Sequence, residues 1–286
     1  MTRLLMCEPT AFSADVANNA LMAEIPPERR VVDSAKALSQ WQVLYRLLNR
    51  EATVYLLPAG RFDTGLQDQV FVANLGVVIP EANLVVVARF ASSARVSEER
   101  YGRTFFDDIG YGRVLHSPYA FEGEAEMKRL APFVYACGYG IRSDFRAYQW
   151  MLTQLVGHCD VRFVLLRETD PKLYHLDCSL FPLADNVAMV ATGAFSKQEL
   201  AALEAHIDIL DVPVAAAHAG VCNMLRVGKK LFSFARPNSG KDEDRLQVRV
   251  VEGVCKRCGY EPVYVDLTEF VKSGADLSCM VMHLNY

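Results

Sequence analysis

The sequence contains no apolar run approaching the roughly 18 residues of a membrane-crossing helix, so no membrane span is expected. Its opening, Met1-Thr2-Arg3-Leu4-Leu5-Met6, is too short in its apolar part for a signal peptide and runs at once into Glu8-Pro9, so a cytoplasmic setting is the expectation. Net charge is small: 30 basic and 34 acidic residues, interspersed, give a formal −4. That balance argues against a nucleic acid or an anionic membrane as the main partner. No linker rich in Pro, Gly or Ser divides the 286 residues, and 51% of them are apolar, so a single domain over 1–286 with a large core is expected. The eight cysteines are scattered at 7, 137, 159, 178, 222, 255, 258 and 279, and only Cys255-Lys256-Arg257-Cys258 is closely spaced. A tetrahedral zinc site needs a second pair, or histidines at matching spacing, and none is nearby. Thiols set in apolar runs of a chain this long suit a reducing compartment without disulfides.

What the sequence does have is a repeating alternation. Residues 3–7 read as a strand, and 8–30, with Asn18-Asn19 and Pro26-Pro27 and no sustained period, as a long loop held by contacts. Leu38, Trp41, Tyr45 and Leu48 recur three or four apart and predict a helix over 34–48 with Ser34 near its N-cap. A strand over 53–57 follows. Strand pairs come next: 70–79 with 84–90, 121–127 with 133–137, 175–183 with 187–191, and 221–227 with 231–234, mostly across turn-forming residues. Helices are expected over 143–156, from the Ser196–Glu199 capping box to about residue 210, and over 244–258 with Gly259 as C-cap. A last strand covers 277–284. Hairpin and helix repeated several times predict an α/β fold built from one supersecondary unit, of a kind that can close into a ring.

Several stretches carry candidate chemistry. Residues 173–180 alternate, so a strand there puts His175 and Asp177 on one face, opposite Tyr174, Leu176 and Cys178. A histidine beside a carboxylate suits proton transfer next to a bound cation; a solvated pair on an edge strand is the bland alternative. Asp68 and Asn74, six apart, share a face of a regular strand, although strand-entry polarity explains either one alone. Glu122, Glu124 and Glu126 crowd one strand face, which is costly unless a cation sits among them or the face is solvated. The turn Cys137–Asp144 is punctuated by glycine but lacks the dinucleotide fingerprint. Its Arg142, and Arg89 at the end of the 84–90 strand, read as planar forks for a carboxylate. Cys279 follows a run of small and polar residues, at a loop-to-strand transition. There a nearby histidine or bound cation would make it a nucleophile; a structural thiol is the alternative.

Together VFVANLG (70–76), ARF (88–90), FEGEAEM (121–127), GYGIRSD (138–144), YHLDCSLFPL (174–183) and LSCM (277–280) resemble the guanidino-group-modifying, or pentein, superfamily over nearly the whole chain. That superfamily holds arginine deiminases, dimethylarginine dimethylaminohydrolases, amidinotransferases and arginine dihydrolases, and the likeness is greatest to the dihydrolase branch. The resemblance implies a five-bladed α/β propeller with the active site on its axis. It implies Cys279 as nucleophile, His175 as general acid and base, and Asp68, Glu122 and Asp177 as carboxylates. It also implies Arg89 and Arg142 for a substrate carboxylate, and Asn19 and Asn74 near the guanidine. The implied partner is a small guanidino substrate, with no metal and no organic cofactor; a homo-oligomer is left open. The implied reaction is hydrolysis of the guanidine of arginine through an amidino-cysteine intermediate, to ornithine, carbon dioxide and ammonia. A citrulline-forming hydrolase, an amidinotransferase and a non-catalytic binding factor are the alternatives. Two departures bear on specificity. The usual Glu-Gly-Glu-Gly-Asp is here Glu122-Gly123-Glu124-Ala125-Glu126, which leaves Glu122 and Glu124 as rivals, and the usual Asn-Pro is Asn19-Ala20.

Overall fold

Fifteen short strands in the computed structural model form five separate three-stranded sheets among the described residues, which are 1–60, 66–235 and 240–286. The first sheet joins β1 (Arg3–Cys7) to β2 (Thr53–Leu57) in parallel, across helices α1 (Ala20–Glu24) and α2 (Ser34–Leu48). The second holds β3 (Gly76–Ile79), β4 (Leu84–Val87) and β5 (Arg113–His116), with α3 (Glu99–Asp108) as crossover. The third holds β6 (Met127–Ala131), β7 (Val134–Tyr139) and β8 (Arg162–Arg167), with α4 (Phe145–Leu155) between the last two. The fourth holds β9 (Leu180–Ala184), β10 (Val187–Val190) and β11 (Asp208–Asp211), with α5 (Lys197–Glu204). After α6 (Val214–His218), the fifth holds β12 (Leu225–Val227), β13 (Lys230–Phe234) and β14 (Glu261–Val265), with α7 (Asp242–Cys258). Finally β15 (Met282–His283) returns to pair antiparallel with β1, Leu4 opposite His283, and completes the first sheet. Every sheet is thus an antiparallel pair followed by a helical crossover to a parallel strand. This is the repeated unit that the alternation of hairpins and helices predicts.

The crossover helices form where apolar side chains recur at helical spacing, and the buried faces pack between their own sheet and a neighbouring one, as α3, α4 and α5 show. Helix α2 buries Ala37, Trp41, Leu44 and Leu48, and α4 buries Ala147, Tyr148, Met151 and Leu155. Burying a side chain the size of Leu stabilises the fold by about 1.5–3 kcal/mol, so each helix is fixed by this packing more than by its own propensity. The capping box of α5 is present, with Ser196 and Glu199 satisfying each other's backbone. Gly259 ends α7 in the left-handed conformation at φ 74°. The N-cap of α2 is Asp33, one residue before Ser34; its carboxylate accepts from the Lys36 amide. Among the described residues no helix is long and apolar enough to cross a membrane.

The structure corrects the strand assignments that matter for function. Residues 72–74, 123–125, 176–178 and 278–280 are 3-10 turns, each ending two residues before a strand of an antiparallel pair: a hairpin in the first three, and β15 with β1 in the last. Asn74, Glu122, His175, Asp177 and Cys279 therefore stand in or beside these turns, and none of them on a strand. The third, parallel strands 113–116, 162–167, 208–211 and 261–265 are additional to the predicted hairpins, and the expected helix to about residue 210 stops at Glu204 to make room for one of them.

Candidate active site

Four of the turns project side chains toward one another. A narrow, partly open cavity is lined by Asn18, Asn19, Asp68, Phe71, Asn74, Arg95, Arg142, Tyr174, His175, Ser273, Ala275 and Cys279. Of the residues singled out from sequence, it gathers Asn19, Asp68, Asn74, Arg142, His175 and Cys279. Glu122 and Asp177 lie directly behind this lining, and Arg89 lies outside it.

His175 closes the extended approach to its turn and is buried. Its Nε2 is 2.8 Å from Glu122 Oε2, while Nδ1 has no partner among the described residues. Glu122, fully buried, also receives Arg142 Nη1 at 3.2 and 3.3 Å. Burial pushes the Glu122 carboxyl up, but the His175 hydrogen bond and the charges of Arg142, His175 and Arg95 outweigh it and bring it to about 2. Glu122 is therefore ionised at any ordinary pH. The 3-10 turn splays the three glutamates that a strand would have crowded together. Glu124 pairs with His283 (2.7 Å), and Glu126 accepts from the Leu176 amide (3.1 Å). Between the rivals, then, it is Glu122 that adjoins the cavity residues.

Asp177 does not point alongside His175, because the backbone turns between them. It packs instead beneath the thiol: Cys279 Sγ is 3.7 Å from Asp177 Oδ2, and the Ser278 hydroxyl donates to the same oxygen at 2.5 Å. Asn223 holds the other side, accepting from the Ser278 amide at 2.8 Å with Nδ2 3.8 Å from Sγ. Burial, and then the Asp177 charge, push the Cys279 thiol well up, against smaller pulls from the Asp276 backbone and Asn223. Both effects favour the neutral thiol form of Cys279. A cation seated over Asp177 offsets the carboxylate charge and favours the thiolate, against the cost of burial.

Asp68 is fully enclosed, and burial raises its carboxyl against the pull of Arg95, Asn18, Gln67 and Arg142. The amide of Asn18 donates to it. Asn19 is mainly structural: its Oδ1 caps α1 at Met22, and its Nδ2 reaches the Ser273 carbonyl at 2.8 Å. Gly274 makes that contact possible. Its φ is 70°, and a Cβ there would stand 2.6 Å from Asn19 Oδ1.

Arg142 is not a free fork. Besides Glu122 it donates to the Asn18 carbonyl at 2.6 Å and lies over the Tyr174 ring. Arg89 is exposed and has no side-chain partner among the described residues; only its backbone bridges Phe121. Sequence reasoning missed Arg95. It is 4% exposed and is held by Glu98 (2.7 Å), the carbonyls of Asp68 and Phe71, and Asn74 Oδ1 (2.9 Å). A guanidinium only donates, so this bond turns the Asn74 amide: Oδ1 faces Arg95 and Nδ2 is left as a buried donor without a partner. Only the spacing Arg95-x-x-Glu98 hinted at it. Burial pushes the Glu98 carboxyl up to about 7 even with Arg95 beside it. Arg95→Met is accordingly expected to cost about 3–5 kcal/mol, since it strands buried carboxylates. Denaturant titration checks this; an unchanged midpoint would refute it.

The family model described as "N,N dimethylarginine dimethylhydrolase, eukaryotic" matches residues 8–286. The chain is 28% identical over 287 residues to the bifunctional arginine dihydrolase/ornithine cyclodeaminase of Nostoc sp., covering 99% of this chain and 38% of that protein. It spans well under half the length of that relative. It is also 28% identical to the N(G),N(G)-dimethylarginine dimethylaminohydrolase of Mycobacterium tuberculosis, covering 99% of this chain and 86% of the relative. Among solved structures it is similar to the N-terminal domain of ArgZ covalently bound to a reaction intermediate. There the identity is 26% and the TM-score 0.84, with 100% of this chain and 98% of the other covered.

Proposed function

We propose a function from one premise: the chain belongs to the N,N dimethylarginine dimethylhydrolase family. It is a cysteine-dependent hydrolase of the guanidine group of arginine, working as a single catalytic domain over 1–286 in a cytoplasmic setting. The five hairpin–helix–strand units close around the cavity as a five-bladed propeller, and the four turns bring their side chains to its axis.

A guanidinium is a poor electrophile, because its charge is delocalised over three nitrogens. It needs fixed orientation and a covalent route. Asp68 and Asp177 accept its N–H groups, and its charge favours ionisation of Cys279. The thiolate attacks the central carbon. His175, held by Glu122, gives a proton to the departing ammonia and then takes one from the water that cleaves the thioether-like C–S bond. The product of this first round is citrulline.

The observation that carries the reading further is the orientation of Asn74. Arg95 occupies its oxygen, so Nδ2 can donate to the ureido oxygen of citrulline. A carboxylate at this position would repel that oxygen; an amide donor retains citrulline for a second attack by Cys279. Arginine and two waters then give ornithine, carbon dioxide and two ammonia molecules. The test is amino-acid analysis after incubation with arginine: ornithine without accumulating citrulline is expected, and citrulline as the end product refutes the second round. The second reading, a single hydrolysis of a methylated arginine to citrulline, is favoured by the family description and by the mycobacterial relative. Release of methylamine or dimethylamine from methylated arginine, without reaction of arginine, would establish it.

The α-carboxylate falls to Arg142 in the cavity lining and to Arg89, which lies outside that lining and whose guanidinium is unpaired among the described residues. Losing a charge-assisted contact of this kind costs about 1.5–3 kcal/mol. Agmatine, which lacks the carboxylate, is therefore expected to be used about tenfold to a hundredfold less efficiently. Equal kcat/KM for the two compounds would remove Arg89 and Arg142 from this role.

A further inference from the structure

Two carboxyls that this mechanism does not use lie against the turn carrying His175. Glu126, fully buried, accepts the Leu176 amide through Oε2 at 3.1 Å. Glu168, 6% exposed, directly follows β8. The two groups meet over Gly138 of β7, where a Cβ would stand 2.7 Å from Glu126 Oε2 and 2.7 Å from Glu168 Oε1. Glu126 Oε1 and both oxygens of Glu168 find no donor among the described residues. Two ionised carboxylates are strongly disfavoured there, since each only accepts and burial leaves their repulsion unscreened. A single proton resolves this, because it turns one group into a donor to the other.

The titratable groups facing the pair are Glu122, His175, Asp177, Cys178, Cys137 on β7 and Tyr148 on α4. Only His175 among them can be cationic, and it is bonded to Glu122. Burial pushes the Glu126 carboxyl up to about 7, against the pull of His175 and the hydrogen bond with Glu168; burial and the charge of Glu126 push Glu168 well up.

We propose that Glu126 and Glu168 share one proton in the folded protein and serve as a positioning pair, fixing the Leu176 amide and through it the placement of His175 and Asp177. The positioning role rests on the reading of His175 as acid and base; the shared proton does not. With one proton the pair carries a single negative charge. A second charge so close would oppose release of the His175 proton to the leaving amine.

Two substitutions separate the possibilities. Glu168→Gln keeps a donor to Glu126 but has no titratable proton, whereas Glu168→Leu removes the partner. Glu168→Leu is expected to lower kcat on arginine about tenfold to a hundredfold with KM changed less than about twofold, and Glu168→Gln to restore most of the rate. Wild-type protein near pH 7 should show the infrared C=O absorption of a buried carboxylic acid, and the wild-type minus Glu168→Gln difference spectrum should retain such a band beyond any acid signal left by Glu98. The folded pair holds a proton that the unfolded chain has already lost above its ordinary carboxylate pKa. Wild-type Tm should therefore fall between about pH 5 and about pH 8, and fall less in Glu168→Gln. Absence of the acid band from the difference spectrum, or the same pH slope of Tm in both proteins, overturns the shared proton. Wild-type kcat in Glu168→Leu overturns the positioning role. The infrared and Tm measurements need no turnover, so they decide the pair even if arginine is not the substrate or Glu168→Leu does not fold.

Discussion

Cys279→Ser is expected to give a folded protein whose turnover of arginine is lower by about 10⁴-fold or more. The substitution is nearly isosteric, and the Ser278 and Asn223 bonds that hold the turn do not involve the thiol's chemistry. Stability should change little. The rate falls because a hydroxyl ionises far less readily than a thiol. The hydrogen-bond neighbours of this sulfur, Asp177 and Asn223, do not include a base suited to activating serine. The Asp177 carboxylate instead opposes ionisation until a cation lies over it, so the thiol should also alkylate slowly in the absence of substrate. Acid-quenching a steady-state mixture and mapping the mass increment is the direct check: it should fall on Cys279. The same increment on Cys178 or Cys222, which are also placed near Asp177, would reassign the nucleophile.

His175→Ala should lower kcat by about 10²–10⁴-fold, the usual worth of a positioned proton carrier. Glu122 is the reason a small perturbation here has a large effect. At a pKa of about 2 it stays ionised throughout the working range and fixes the imidazole through Nε2, leaving Nδ1 unpartnered. The lowered value also has a consequence for stability. The Glu122 contribution is complete above the ordinary carboxylate value of 4.5 and is lost as pH falls through about 2. His175→Ala leaves Glu122 its Arg142 partner, so the variant should fold and the loss should be catalytic. His175→Asn keeps a hydrogen-bonding amide but cannot shuttle a proton, and should not recover the rate. Near-normal activity in His175→Ala would end the mechanism.

Much of the architecture was legible because burial is written in periodicity. Leu38, Trp41, Tyr45 and Leu48 mark α2, and the apolar runs 76–79 and 84–87 mark a hairpin buried on both faces. The third strand was legible in the first unit, as 53–57, but not in the other four. Strands such as Arg162–Arg167 and Glu261–Val265 are edges whose apolar runs, Phe163–Leu166 and Val263–Val265, are short, only partly buried and adjoined by charged residues. At the site, motif positions named the right neighbourhood, but strand alternation gave the wrong geometry. A 3-10 turn rotates about a third of a circle per residue, where a strand alternates sides. His175 and Asp177 thus part company, one facing the cavity and the other the thiol. Arg142, expected to be free, has a partner 20 residues away in Glu122. Arg95 could not be placed at all, since its partners Asn74, Asp68 and Phe71 are brought to it only by the fold.

The pairing of β15 with β1 sets an order of events during synthesis. Leu4 and Leu5 are translated long before Met282 and His283, which complete their sheet. Cys279 sits three residues before Met282, on the turn that this pairing holds in place. The carboxylates and His175 can collect in the earlier units while the nucleophile is still being translated. Contacts spanning this much chain are slow to form. On the proposed mechanism, a chain in which β15 has not yet paired with β1 holds its guanidine-binding acids without a positioned thiol.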